Sequence, residues 1–328
     1  MAASKDLTFG LIGCGGIMGW HIGNLQKIAG VTVGALADTS EKSIENTKKR
    51  FQHLAQASTY TNHRDLLRDS RVDAVIIASR HVDHYPQVVD ALNAGCHVLV
   101  EKPFVGSVAQ AKTCIALAKK KGKTLMISYQ RHFDPKFRYM RRLVQDGRIG
   151  KLQTICSALG QGWLEGCRGS WRHDPKASLG GQLNDSGSHV IDIALWISGL
   201  KPVEVYSNVE KCDVKVDINS ATTVRLEKDV VWSINICGNT PGFWEYLVLA
   251  GDKGTIAYLN GDLTVVESGI RMKGESFGNY HDQTAGFVKA VRGEGSNEVP
   301  GEFGLLVTAL TQSAFRAADS GKPVKIRL

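Results

Sequence analysis

Short apolar runs and amphipathic stretches alternate along the first 128 residues. The apolar runs predict five strands, at 7–12, 31–37, 72–78, 97–100 and 124–128. The stretches between them, in which apolar residues recur at helical spacing, predict helices at 18–28, 42–55, 62–70, 83–94 and 107–121. Strands that alternate with helices form a parallel, doubly wound sheet with right-handed crossovers. We therefore expect an α/β domain over residues 1–128.

From residue 129 onward the βα alternation ends, and partly alternating apolar runs follow one another. These runs predict strands at 152–159, 203–209, 222–227, 230–237, 245–250, 254–258 and 324–328. Amphipathic helices are predicted at 135–145, 185–198 and 302–320. Adjacent strands of this kind favour antiparallel pairing with one face on a core. We expect residues 129–328 to form an α+β domain around one large, mainly antiparallel sheet.

Composition excludes several classes of function. The net charge of +8 is not gathered in a run, so we expect no nucleic-acid surface, although an anionic cofactor or substrate is favoured. The seven cysteines lack paired spacing, which favours a reducing compartment and argues against a metal site. No apolar run approaches the ~20 residues of a membrane span, and residues 1–6 contain no hydrophobic stretch. We therefore expect a cytoplasmic protein without a signal peptide.

A glycine-rich turn follows the first predicted strand. Residues 13–19 are Gly-Cys-Gly-Gly-Ile-Met-Gly, and such glycines allow a tight turn and a close approach of the backbone to a pyrophosphate. Met18 stands where G-x-G-x-x-G has its third glycine, and Gly19 falls one place late. The turn alone is as consistent with an incidental glycine turn as with dinucleotide binding.

The acidic residue that ends the second predicted strand, Asp38, strengthens the cofactor interpretation. A carboxylate there can accept hydrogen bonds from the ribose hydroxyls of NAD and would repel a 2′-phosphate. The alternative is that Asp38 caps the helix that begins near Ser40. Because strand, glycine turn and acid occur in the expected order, and no arginine adjoins Asp38, we favour the ribose role and NAD over NADP.

A lysine, Lys102, lies just beyond the carboxyl end of the strand at 97–100. Open α/β sheets bind their ligands in the crevice outside the carboxyl ends of the strands, so Lys102 is a candidate for chemistry, with ordinary strand termination as the alternative. His81 and His84 follow the strand at 72–78. They are candidates for the nicotinamide end of the site or for loop hydrogen bonds.

The second domain contains one dense polar segment, from Trp171 to Asp192. Asp185 and His189 are four residues apart in a predicted helix and would share one face, where a carboxylate can orient an imidazole that acts as a general base. Two alternatives remain open. The acid could cap the helix, or Asp185, His189 and Asp192 could bind a metal ion, although no further ligand is evident.

Together these motifs resemble the Gfo/Idh/MocA family, the glucose-fructose oxidoreductase and inositol dehydrogenase group. The resemblance covers essentially the whole chain and rests on Gly13-Cys14-Gly15 with His21, Asp38, Glu101-Lys102-Pro103, Trp171-Arg172, Gly180-Gly181, Asp185, His189 and Asp192. It implies a Rossmann domain followed by a domain whose open sheet often mediates dimers or tetramers. The chain departs from the family pattern at Met18, at Arg80, where proline is common, and at Leu179, which replaces a glycine.

The resemblance also implies roles for individual residues. Lys102, Asp185 and His189 match the family's catalytic residues, with His189 accepting a hydroxyl proton, Lys102 hydrogen-bonding the same oxygen and Asp185 holding the geometry. The implied cofactor site comprises Gly13, Gly15, Gly16, Ile17, Met18, Asp38, Ser79, Arg80, His81, His84, Glu101 and Lys102. The implied substrate site comprises Tyr129, Arg131, Trp163, Trp171, Arg172, Asp185 and His189. No metal is expected.

Three functions fit this reading. The first is an NAD-dependent dehydrogenase that acts on a hydroxyl carbon of a sugar, polyol or derivative. The second is a redox-neutral glycosidase or epimerase-type enzyme that oxidises a sugar carbon transiently and returns the hydride. The third is a catalytically silent NAD sensor or partner-binding protein, against which the intact Lys102, Asp185 and His189 argue. The expected partners are a small carbohydrate and a second copy of the chain, with no nucleic acid or membrane.

Overall fold

The computed structural model describes residues 6–328 as two compact units. Residues 1–5, on which the expectation of no signal peptide depends, lie outside the described part. The first unit contains the described residues up to Gln130 together with His281–Gly304. The second unit contains Arg131–Tyr280 and Leu305–Leu328. Within residues 6–328 no helix is long and apolar enough to cross a bilayer.

The first unit is built on a six-stranded parallel sheet. Its strands are β1 Leu7–Ile12, β2 Val31–Ala37, β3 Ser58–Tyr60, β4 Ala74–Ile77, β5 His97–Val100 and β6 Leu125–Ile127, in the order β3-β2-β1-β4-β5-β6. The helices between them are α1 Gly16–Leu25, α2 Glu41–Arg50, α3 His63–Asp69, α4 His81–Asn93 and α5 Val108–Lys121. This topology confirms the predicted doubly wound α/β fold. The strand β3 was not predicted, because Ser-Thr-Tyr is not an apolar run.

Local chemistry sets the ends of these helices. Ser40, Asn62 and Ser107 each accept a hydrogen bond from a backbone N–H in the first turn of α2, α3 and α5. Gly122 ends α5 in the left-handed conformation. In contrast, α1 begins at an N-cap glycine, Gly15, which has no side chain to cap it. The backbone N–H groups in the first turn of α1 therefore receive no N-cap side chain and can donate to another acceptor.

The second unit is built on a nine-stranded sheet. Its strands are β7 Leu152–Gly160, β8 Pro202–Glu210, β9 Asn219–Leu226, β10 Val231–Cys237, β11 Trp244–Gly251, β12 Gly254–Leu259, β13 Asp262–Glu267, β14 Ile270–Lys273 and β15 Val324–Lys325. They lie in the order β14-β13-β12-β11-β7-β10-β9-β8-β15, and only β7 and β10 pair in parallel. The predicted mainly antiparallel sheet is confirmed. In β9 buried and exposed residues alternate, so one face of that strand is open.

Helices and short turns complete the second unit. The helices that lie wholly within it are α6 Pro135–Gln145, α7 Trp163–Gly166, α8 Pro175–Ser178 and α9 Gly187–Ser198. Almost every residue of α9 is buried, and α9 packs against α6. Single 3-10 turns occur within it at Trp171–His173 and Glu227–Asp229, at the unit boundary at Gln130–Phe133, and in the first unit at Gln52–Leu54.

A segment from the C-terminal part of the chain belongs to the first unit. It contains α10 Gln283–Arg292, which the sequence did not predict, and the first turn of α11 Gly301–Ser320. The segment joins the first unit because Phe287 packs edge-on against Phe9, with 6.1 Å between ring centroids, and because the Ile127 N–H donates to the Val299 carbonyl at 2.9 Å. The division at residue 128 assigned this segment to the second domain, since contacts over such sequence distances leave no local pattern.

Candidate functional site

The glycine turn after β1 has the form of an anion-binding turn. A Cβ atom at Gly13, where φ is +90°, would lie 2.6 Å from the carbonyl oxygen of Ala78, so only glycine fits. Gly15 and Gly16 are exposed, with open space where a Cβ atom would be. The uncapped start of α1 therefore faces open space, which suits a pyrophosphate.

The two residues after these glycines differ in exposure. Ile17 is 46% exposed, whereas the Met18 side chain is fully buried. Ile17 can therefore offer an apolar surface to a ligand. Any contact of Met18 with a dinucleotide would have to come from its backbone.

Asp38 uses its carboxylate to fix this turn. One oxygen accepts from the Cys14 N–H at 2.7 Å, and the other accepts from the Ser40 N–H at 2.8 Å. The helix-cap alternative is wrong, because the side chain that caps α2 is Ser40, whose hydroxyl accepts from the Ser43 N–H at 3.2 Å. Each Asp38 oxygen keeps a further lone pair for a ribose hydroxyl.

The residues after β4 mostly bind each other or the backbone. The Ser79 hydroxyl donates to Gln87 at 2.6 Å, and Arg80 pairs with Asp83 at 2.8 Å on the surface. His81 is buried, with its ring centroid 5.8 Å from that of His84. Of the four predicted cofactor residues here, Arg80 is the one with a largely exposed side chain.

His84 lies between two loops at the carboxyl edge of the sheet. Its Nδ1 lies 2.9 Å from the Pro103 carbonyl oxygen, and its Nε2 lies 3.3 Å from that of Ser79. Burial lowers the pKa of His84, which favours the neutral ring. A neutral ring donates through one nitrogen only, so at any one time it hydrogen-bonds the loop after β4 or the loop after β5, but not both.

The Glu101-Lys102-Pro103 corner follows β5 directly, and its Lys102–Pro103 peptide bond is cis. Glu101 is buried, and its carboxylate lies 3.0 Å from Nε2 of His21. Burial raises the pKa of Glu101, but His21, Lys102 and the Ser128 hydroxyl together hold that pKa below its usual range. Lys102 is partly exposed. An ionised carboxylate thus sits beside the candidate catalytic amine.

In the second unit, Asp185 is held by two donors. The indole N–H of Trp163 donates to Oδ2 of Asp185 at 3.0 Å, and Nε of Arg172 donates to the same oxygen at 2.9 Å. Asp185 is buried, while Arg172 is partly exposed. The guanidinium of Arg172 also lies 4.5 Å from the ring centroid of Trp171. Trp163 is itself buried, which leaves little of its ring open to a ligand.

The helix that follows Asp185 begins later than predicted. α9 starts at Gly187, because Asp185 lies in a turn that is closed by a non-helical hydrogen bond from the Gly187 N–H to the Gln182 carbonyl five residues back, at 2.8 Å. Asp185 and His189 are therefore not successive positions on one helical face. His189 lies in the first turn of α9 and is partly exposed.

Asp192, the third residue of the metal alternative, has another partner. Its carboxylate lies 2.8 Å from Nε2 of His132, and both side chains are buried. Burial raises the pKa of Asp192 even though His132 opposes the shift. In the described part of the chain no three His, Cys, Asp or Glu side chains are grouped to hold a metal ion.

Two further predicted substrate residues lie deeper than expected. Tyr129 is 1% exposed. The Arg131 guanidinium pairs with Glu245, which also accepts from the Tyr258 hydroxyl at 3.2 Å. Arg131 is thus neutralised within its own unit, which leaves its charge less available to a substrate.

Asp217 is a site-building residue that the sequence did not reveal. Its carboxylate accepts from the backbone N–H groups of Gly181 at 2.5 Å and Leu183 at 2.7 Å, so it holds the turn that carries Asp185. A Cβ atom at Gly181 would collide with the backbone carbonyl of Asp217. In the sequence the pair Gly180-Gly181 contributed to the family resemblance, and nothing there identified Asp217 as the partner of this turn.

The predicted site residues therefore fall into two groups. The cofactor residues and Lys102 belong to the first unit, and all predicted substrate residues except Tyr129 belong to the second. Within each unit, hydrogen bonds connect some of these residues to their neighbours. Asp38 binds the glycine turn, His21 binds Glu101, and Trp163 and Arg172 bind Asp185.

Comparison with known proteins identifies both parts of the chain. Residues 7–129 match the family model described as "Oxidoreductase family, NAD-binding Rossmann fold". Residues 137–257 match the model described as "GFO/IDH/MocA C-terminal domain". The two models belong to one family and together span most of the chain.

Individual relatives match this chain over nearly its full length. The chain is 26% identical to the uncharacterized oxidoreductase YrbE of Bacillus subtilis, covering 98% of this chain and 97% of the relative. It is also 26% identical to the myo-inositol 2-dehydrogenase of Thermotoga maritima, covering 98% of each. Among solved structures, the aldose-aldose oxidoreductase of Caulobacter crescentus in complex with glycerol has a TM-score of 0.88 at 20% identity, covering 98% of this chain and 100% of that one. At this identity the likeness to the solved structure concerns the fold.

We expect Gly181→Ala to destabilise the second unit by about 2–3 kcal/mol, because the added methyl forces the Asp217 backbone away and loosens the turn. The measurement is the midpoint of urea unfolding followed by tryptophan fluorescence. Gly23→Ala is the control, since its Cβ atom would meet nothing within 4 Å in α1. The free energy of unfolding of this control should exceed that of the wild type by up to about 1 kcal/mol. A wild-type midpoint for Gly181→Ala would contradict the close approach.

Proposed function

Since the chain belongs to the Gfo/Idh/MocA family of NAD-binding oxidoreductases, we propose that it is an NAD-dependent dehydrogenase of a polyol or sugar hydroxyl. The observation that carries the proposal is the fixation of Asp185 by both Trp163 and Arg172 at the start of α9. A buried carboxylate with two donors is a preorganised anion. Such an anion is expected next to a histidine that must accept a proton.

The residues of the first unit fit the cofactor. The uncapped start of α1 and the open glycines would hold the pyrophosphate, and Asp38 would accept from the adenosine ribose. We assign NAD over NADP because the Asp38 carboxylate would repel a 2′-phosphate. When bound, NAD supplies a hydride acceptor, and the remaining chemistry falls to side chains of this chain.

Three side chains would carry the proton chemistry. His189 would take the proton of the substrate hydroxyl, as imidazole does near neutral pH. Lys102 would donate a hydrogen bond to the same oxygen and stabilise its developing negative charge. Asp185 would stay ionised and hold the substrate and His189 in the positions that the reaction requires. The hydrogen bonds from Trp163 and Arg172 would keep the Asp185 carboxylate in place.

The relatives narrow the substrate class. A full-length relative is named a myo-inositol 2-dehydrogenase, and the partly exposed side chains of Arg172 and Trp171 suit a polyhydroxylated ring, which presents both hydroxyls and an apolar face. We therefore propose cyclic polyols and related sugars as the first candidates. The chemistry of the three side chains would equally serve a redox-neutral enzyme that oxidises a sugar carbon transiently.

A substrate panel separates these two activities. Purified protein is incubated with NAD and, separately, with inositols, free sugars and glycosides, and NADH is followed at 340 nm while products are resolved by chromatography. Net NADH with a polyol or free sugar supports the dehydrogenase. Glycoside cleavage without net NADH would instead assign the redox-neutral activity, and no turnover across the panel would contradict both.

Removing either proposed proton-handling group should nearly abolish turnover. We expect Lys102→Met and His189→Ala each to lower kcat with the best panel substrate by about 10²-fold or more. Lys112→Met, an exposed lysine on α5, is the control and should retain wild-type kcat. Near-wild-type kcat in either site variant would remove that residue from the mechanism.

The cofactor preference should depend on the charge of Asp38. Asp38→Asn keeps the size of the side chain but removes the negative charge that opposes a 2′-phosphate, so we expect the ratio of the NADP Kd to the NAD Kd to fall about tenfold. Calorimetric titration with each dinucleotide measures the ratio. Thr39→Ala, at the exposed neighbouring residue, should leave it unchanged. An unaltered ratio in Asp38→Asn would mean that another feature selects the cofactor.

A further inference from the structure

Two neighbouring residues of α10 reach the Glu101 carboxylate by separate routes. On one route, the Thr284 hydroxyl lies 2.8 Å from Nδ1 of His21, and Nε2 of His21 lies 3.0 Å from Oε1 of Glu101. On the other, the Gln283 amide donates to the Ser128 hydroxyl at 3.1 Å, and Ser128 hydrogen-bonds the Glu101 side chain. Both routes begin in the first turn of α10 and end on the same carboxylate.

All five side chains of these routes are buried. His21 and Thr284 are fully enclosed, and Glu101, the most exposed of the five, is 7% exposed. Bulk water therefore cannot replace a lost hydrogen bond easily, so each contact determines the protonation state of the next. A buried carboxylate without such partners would take up a proton.

The Thr284 route fixes the tautomer of His21. A carboxylate only accepts hydrogen bonds, so Nε2 of His21 must carry the hydrogen that Glu101 accepts. In the neutral ring Nδ1 is then a lone pair, and the Thr284 hydroxyl is the donor that satisfies it. Without that donor, the other tautomer would place a lone pair against Glu101 and favour protonation of the carboxyl.

The position of Glu101 gives its charge a consequence for the cofactor. Glu101 follows β5 and Ser128 follows β6, so both lie at the carboxyl edge of the second half of the parallel sheet. In doubly wound folds this half holds the second mononucleotide, while Asp38 belongs to the first half. A negative charge there stabilises the cationic ring of oxidised nicotinamide more than the neutral reduced ring.

We infer that Thr284 is a positioning residue that acts through His21: it keeps Glu101 as an anion, and this anion makes the protein favour NAD⁺ over NADH. The inference rests on the cofactor placement in the proposed function, but it does not require the proton roles of Lys102 and His189. Gln283 braces the same carboxylate through Ser128. That second route is less decisive, because the Ser128 hydroxyl can still donate to Glu101 when Gln283 is removed.

The test measures binding of NAD⁺, NADH and ADP-ribose without any substrate. We expect Glu101→Gln to lower the ratio of the NADH Kd to the NAD⁺ Kd by about tenfold. Thr284→Val, which keeps the shape but lacks the hydroxyl, should lower it by at least about threefold, since the carboxyl is then partly protonated. Thr284→Ser should restore the wild-type ratio. Gln283→Leu should lower it less than Thr284→Val does.

Two controls separate positioning from damage. ADP-ribose lacks the nicotinamide, so its Kd should be unchanged in every variant, and Thr284→Val in the Glu101→Gln background should lower the ratio no further. A wild-type ratio in Thr284→Val, a parallel loss of ADP-ribose affinity, or a full additional effect in the double variant would each overturn the inference. Turnover of His189→Ala tests the proposed function separately, because these binding ratios do not involve His189.

Discussion

A buried carboxylate at the end of a parallel strand constrains much of the first unit. Glu101 lies where the sheet presents its ligand edge, and an anion there requires donors that are themselves buried. The partners of Glu101 are His21 from α1, Ser128, which directly follows β6, and the positively charged ammonium of Lys102. One electrostatic requirement thus links the helix of the dinucleotide turn, the end of the sheet and the candidate catalytic amine.

The second unit also contains a buried carboxylate that needs donors, that of Asp185, but it holds this group with a different set of contacts. Asp185 sits in a turn before α9, and its position depends on a backbone clamp by Asp217 together with two side-chain donors. Side chains that a sugar-binding interpretation would assign to the substrate, Trp163 above all, are used to hold this acid. Trp163, Arg172 and Arg131 thus each bind a carboxylate of their own unit, and of these Arg172 stays partly exposed.

The sequence was sufficient for the features that repeat locally. Alternating strands and helices gave the parallel sheet, and motif spacing gave the family, both of which are confirmed. It was insufficient for contacts without a local signature. The donors to Asp185, the Asp217 clamp and the partner of Arg131 lie far along the chain from the residues they hold. The late start of α9 has the same origin, because the Gly187 N–H donates to the Gln182 carbonyl five residues back and not to the carbonyl four residues back that a helix would use.

The discontinuity of the first unit has a consequence for synthesis. The sheet of this unit is complete once Ile127 has emerged, but α10, which covers Phe9 and supplies Thr284, emerges only after residues 131–280. Domains generally fold in the order in which they leave the ribosome. Here the first unit must remain open on one side while residues 131–280 are made, so both units are completed only near the end of synthesis, the first at Gly304 and the second at Leu328.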